Sequence, residues 1–125
     1  MKTSLNSLHH QVNDWLREVE FYKQETSLLK KRLEEVAAQN SGQDVMAQVE
    51  HFQNKFIVQS EQIDILHHDL NKQSEAITLQ VKEKPEHAHE KFLDVNDKMQ
   101  QRVKIFTSGF GDLRFEFNKF LSKAL

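Results

Sequence analysis

The sequence predicts an all-α fold, a long antiparallel up-down-up bundle of three helices in one domain. Three observations lead there. Apolar residues recur at alternating steps of three and four along almost the whole chain. Three glycines and one proline in 125 residues are too few for the turns of a mixed fold. Charged residues make up 29% of the chain with both signs interspersed, as on the solvated faces of long helices.

The first helix is expected at about residues 4–39. Leu5, Leu8, Val12, Trp15, Val19, Tyr22, Thr26, Leu29, Leu33 and Val36 form a coiled-coil-like heptad seam with one polar member, Thr26. The seam stops at Asn40, Ser41 and Gly42, which supply helix-ending and turn chemistry. A second helix is expected over 44–83, with Asp44 placed to cap its start. Its seam runs Val45, Val49, Phe52, Phe56, Gln59, Ile63, Leu66, Leu70, Gln73, Ile77 and Gln80. It ends near Pro85, a residue suited to the first turn of the next helix.

The third helix is expected over 86–124. Its seam reads Ala88, Phe92, Val95, Met99, Val103, Phe106, Phe110, Leu113, Phe117, Phe120 and Ala124, with two successive steps of four around Met99. The segment KIFTSGFGDLRFEF (104–117) poses a question, because Gly109 and Gly111 could end the helix. The apolar phase passes through them intact, from Phe106 to Phe110 to Leu113, whereas a loop would normally reset it. Interior glycines cost about 1 kcal/mol each relative to alanine, less than the burial of the apolar side chains downstream returns. One helix, continuous or bent at Gly109–Gly111, is therefore expected.

Helices of roughly 35–40 residues, about 55 Å long, joined by short connections lie antiparallel to their neighbours. With turns near Gly42 and Lys84, residue i of the first helix is level with about 84 − i of the second, and residue j of the second with about 168 − j of the third. Thr26, Gln59 and Gly109 then share one layer. Two readings are open: a buried Thr–Gln hydrogen bond that fixes register, or a small pocket where backbones approach closely. Phe117 falls level with Phe52 and Leu33, making one end aromatic. The other end holds Gln73, Gln80 and most of the histidines.

Seven histidines raise the question of a metal. Asp64-x-x-His67 and Glu86-x-x-His89 have the acid–histidine spacing of di-iron carboxylate bundles. The layer estimate separates these half-motifs by roughly 18 Å along the axis, so they cannot share an ion. A looser set, His9, His10, Glu86 and His89, gathers near one bundle end and has the donor chemistry for zinc, copper or nickel. The favoured reading of the same residues is solvated imidazoles and carboxylates beside the core, since such pairs are common on polar helix faces. No cofactor is implied.

A last group of apolar residues lies off the seams. Phe21 and Leu28 are seven apart on the first helix, Val58 and Ile65 seven apart on the second, and the layer arithmetic pairs Phe21 with Ile65 and Leu28 with Val58. They form either the wide face of a three-helix core or, if the third helix sits in the opposite groove, an exposed contact stripe. Phe115, between Arg114 and Glu116, is a further off-seam aromatic.

Several functions are disfavoured. A net charge of −2 without a basic stripe argues against nucleic acid. The chain has no cysteine, which excludes disulfide and thiol chemistry. No apolar run approaches the ~20 residues of a membrane span, and the N-terminus lacks the apolar core of a signal peptide, so a cytoplasmic location is expected. The C-terminal segment with Arg114, Lys119 and Lys123 is basic and amphipathic, but its apolar side has seam partners, which argues against peripheral membrane contact. No nucleophile–base constellation or phosphate-cradling loop is present; the Phe110 of SGFGD belongs to the seam. The expectation is a non-enzymatic bundle acting by contact with another protein or with its own copies. The alternative is a metal- or small-ligand-binding bundle using the histidine-rich end.

Overall fold

The computed structural model describes residues 4–83 and 90–124. They form three helices, α1 (Leu5–Gln39), α2 (Gln43–Glu83) and α3 (Glu90–Ala124), and no strand occurs among the described residues. The residues expected to open the third helix before Glu90, Pro85 among them, lie outside the described residues.

Local chemistry sets the helix ends. Ser4 has extended backbone (φ −81°, ψ 155°), and its hydroxyl accepts from the Ser7 amide at 3.1 Å, the geometry of an N-cap. At the far end of α1, Asn40 leaves the helical region and its Nδ2 donates to the Val36 carbonyl at 2.9 Å, satisfying one of the helix's terminal acceptors. The cap of α2 differs from expectation. The Gly42 carbonyl accepts the Met46 amide at 3.0 Å, so the helix starts one residue earlier, and Asp44 lies within its first turn. There its carboxylate favours the positive end of the helix dipole rather than forming the cap.

The third helix runs unbroken through Gly109 and Gly111, and no glycine has positive φ. Both glycines are exposed, and a Cβ built on either would meet nothing within 4 Å. They are thus tolerated in the helix without any close approach demanding them.

Cross-helix contacts fix the topology. His9 reaches Ser74 and Thr78, and Lys30 reaches Ser60, so α1 and α2 run antiparallel. Gln73 meets Asn96 while Phe52 meets Phe117, so α2 and α3 are also antiparallel. Gln11 bonds Asn96 and Tyr22 stacks edge-on against Phe106 and Phe110, which leaves α1 parallel to α3. These pairs agree with the layer arithmetic to within about one or two turns.

The seam residues form one continuous core, in which Phe56, Phe110 and Phe117 are the bulkiest fully buried side chains. The aromatic end is real. Phe52, Phe56, Phe117 and Phe120 interlock with centroid separations of 5.1–6.3 Å, Phe117 meeting Phe52 and Phe56 edge-to-face. The backbones of α1 and α2 approach each other much more closely than either approaches α3. The seam of α3 carries Phe92, Phe106, Phe110 and Phe117, long side chains that fill the core from a greater distance. No described helix is long and apolar enough to cross a membrane.

Candidate functional site

Two sets of side chains stand out: polar groups inside the bundle and apolar groups outside it.

The expected layer of Thr26, Gln59 and Gly109 is not a polar pocket. Thr26 is buried, but its hydroxyl donates to the carbonyl of Tyr22 at 2.8 Å, one turn back on its own helix, rather than to Gln59. Gln59 is half-buried, and its Oε1 is enclosed without a hydrogen-bond partner. Gly109 lies on the solvent side of α3, so the close backbone approach is absent.

The polar layer of this bundle sits about four turns away, at Asn96. Its Oδ1 accepts from Gln73 Nε2 at 3.1 Å, and its Nδ2 donates to the Leu8 carbonyl at 3.2 Å and to Gln11 Oε1 at 3.1 Å. Gln73 Nε2 also lies 3.4 Å from the Phe92 carbonyl. Asn96 is only 2% exposed, so one amide ties α3 to both other helices from inside the core. This revises the third seam. Asn96 replaces Val95, which is only half-buried, and the core then follows Phe92, Asn96, Met99, Val103 and Phe106 in regular alternation. The two steps of four around Met99 disappear; a pair of fours occurs instead at the C-terminal end, where Leu121 is buried and the expected Phe120 only half-buried. Hydropathy alone favours valine for the core; the partners that satisfy asparagine belong to other helices and are invisible along one seam. A signal was nevertheless present, because the layer arithmetic puts Gln73, already a polar seam residue, level with residue 95 or 96.

Two ion pairs reinforce the same three-way attachment on the outside. Arg102 meets Asp69 of α2 at 2.9 Å, and Arg114 approaches Glu25 of α1 at 3.5 Å. All four side chains are at least a quarter exposed, so each pair contributes modestly, about 0–1 kcal/mol. Arg17 and Asp14 pair within α1 and hold nothing together across helices.

Of the candidate metal ligands, Glu86 and His89 lie outside the described residues. His9 is engaged with α2, its Nε2 3.2 Å from Ser74 Oγ and 3.4 Å from Thr78 Oγ1, and His10 is exposed. Among the described residues, no group of three or more histidine and carboxylate side chains is arranged to hold a metal ion.

Phe21, Leu28, Val58, Ile65 and Phe115 are all at least half exposed. They do not make one stripe. Leu28 borders a shallow groove together with Leu121 of α3, while Ile65 borders another together with Ile105 and Phe106 of α3. The third helix lies on the same side of the α1–α2 pair as these residues and divides them. Phe21 and Leu28 flank it along α1, where Phe21 rests edge-on against Tyr22 at 5.3 Å. Val58 and Ile65 flank it along α2. Phe115 projects from the outer face of α3, with the Lys119 ammonium 5.2 Å from its ring centroid.

Ile105 belongs with this set and, among the described residues, is the most exposed of the large apolar side chains, at 73%. Its signal in the sequence is positional. Phe21, Leu28 and Ile65 each immediately precede a buried seam residue, Tyr22 excepted as half-buried, and Ile105 precedes Phe106 in the same way. With Leu79 and Ile57 also exposed, large aliphatic side chains are spread over several faces.

No protein-family model matches the chain, and neither a curated protein nor a solved structure matches it.

Proposed function

We propose that this bundle is a non-enzymatic interaction module that acts by protein–protein contact, with another protein or with copies of itself. The observation that carries the reading is the group of exposed apolar side chains flanking α3, Phe21, Leu28, Val58 and Ile65, together with Ile105 on α3 itself. Single exposed apolar residues are ordinary on a protein surface. Several in line on both sides of one helix are the pattern of surfaces that become covered. The grooves they border are open, with apolar side chains of two helices set among polar ones, a shape that suits side-chain knobs from a partner.

The test is native mass spectrometry and sedimentation of the untagged chain recovered from its own cell extract after mild cross-linking. A defined assembly heavier than the 14.8 kDa chain is expected, lost when Ile65 or Ile105 is replaced by serine. Recovery of the bare chain alone under all cross-linking conditions would overturn the reading. The same spectra weigh any bound metal. A stoichiometric ion lost on substitution of His9 would favour the ligand-binding alternative.

A further inference from the structure

The groove between α2 and α3 has features of its own that go beyond a general contact surface. Ile105 stands at its rim, with Ile65 opposite on α2, around a shallow depression of ≈150 Å³. Seven residues before Ile105 is Lys98, and seven after it is Asp112, both exposed. A spacing of seven is two helical turns, about 10.5 Å, and keeps all three residues on one stripe of α3. The stripe therefore reads cation, apolar centre, anion. Gly109, one turn from Ile105, presents bare backbone beside the groove.

We propose that this face binds a second copy of the same chain, with the two α3 helices crossing antiparallel about a two-fold axis at Ile105. The inference rests on the interaction reading above and specifies its occupant. A two-fold contact places the same patch on both partners, so residue 105 + n of one copy meets 105 − n of the other. Ile105 then meets its own counterpart, between the two Ile65 side chains. Lys98 faces the second copy's Asp112, and Asp112 faces the second copy's Lys98. The stripe is thus complementary to itself in the antiparallel sense only. A parallel arrangement would set lysine against lysine and aspartate against aspartate. The absence of a side chain at Gly109 lets the helices approach near the axis. Further out the pairs are alike in charge: Asp94 would face Glu116 about 16.5 Å from the axis, and Lys91 would face Lys119 at about 21 Å. Both pairs lie beyond the Lys98–Asp112 contacts, where crossing helices separate.

The experiment is sedimentation equilibrium of the full chain over a range of concentrations, with circular dichroism confirming that each variant is folded. Wild type is expected to be a dimer of twice the 14.8 kDa chain mass. Ile105→Glu should be monomeric; at 73% exposure this position tolerates a charge in the monomer. Lys98→Asp and Asp112→Lys should each weaken dimerisation about tenfold, since each reverses two symmetric pairs. The double variant should recover wild-type affinity to within a few-fold. Because the chain contains no cysteine, Ile105→Cys should oxidise to a disulfide-linked dimer, while Phe21→Cys, on the opposite flank of α3, should not. A dimer indifferent to Ile105→Glu and to the charge reversals would overturn the two-fold contact and leave self-association standing through another face. A monomer at every concentration would overturn the two-fold contact together with self-association. Contact with a different protein would then remain, as tested by cross-linking above.

Discussion

Asn96 shows how one side chain can hold a bundle in register. Its carboxamide uses both hydrogens and its oxygen, and its partners come from α1 and α2. A buried polar group is neutral to stability when satisfied and costly when its partners are orphaned, so the sign of a substitution depends on what is left behind. Asn96→Ala leaves Gln73 Nε2 without its principal acceptor and the Leu8 carbonyl without its side-chain donor. It is expected to cost about 2–3 kcal/mol, read as a lower urea midpoint at unchanged slope. Replacing Asn96 and Gln73 together by leucine removes donor and acceptor at once. The pair should cost much less than the sum of the single changes, with register specificity lost. An additive double-mutant cycle would show that the two amides do not act as a unit.

At the level of the element, α3 is the informative helix. Its continuity was legible because the apolar phase carries across the glycines, and burial of Phe106, Phe110 and Leu113 follows that phase. Its polar member was not legible, because Asn96 is stabilised in the core by atoms of two other helices. Thr26 and Gln59 misled for a related reason: a shared level along the axis does not make two side chains meet, and threonine found its acceptor one turn back on its own backbone. The exposed apolar residues were legible as a set off the seams. Their division by α3 was not, because the sequence leaves open which groove the third helix occupies. Continuity through the glycines carries its own test. Both are exposed, helical and clear of neighbours within the chain, so in the Ile105→Glu background, where no second copy packs against Gly109, Gly109→Ala should stabilise the protein by about 0.5–1 kcal/mol, as should Gly111→Ala. A loss of stability in thermal unfolding would mean that the native chain needs glycine there, as a bend or loop would.

For the whole molecule, the three helices are not equivalent. α1 and α2 bring their backbones close together along their length, whereas α3 is attached through long aromatic side chains, one buried amide and two partly exposed ion pairs. α3 also carries two exposed glycines, which together lower its intrinsic helical stability by about 1–2 kcal/mol. Aromatic burial is large enough to keep all three helices folded, so the difference belongs to the opening of the native state rather than to its average structure. Native-state hydrogen exchange should therefore find α3 amides exchanging through a partial opening of lower free energy than the central amides of α1 and α2. The double variant Gly109→Ala/Gly111→Ala should raise the α3 opening energy by about 1–2 kcal/mol, since the fluctuation it opposes is the unwinding of that helix. Exchange of all three helices at one common free energy, shifted equally by the double variant, would instead make the bundle a single cooperative unit. The proposed two-fold contact adds a concentration dependence to the same measurement. A copy seated on α3 must be released before that helix opens, so α3 protection should rise with protein concentration in wild type and stay constant in Ile105→Glu.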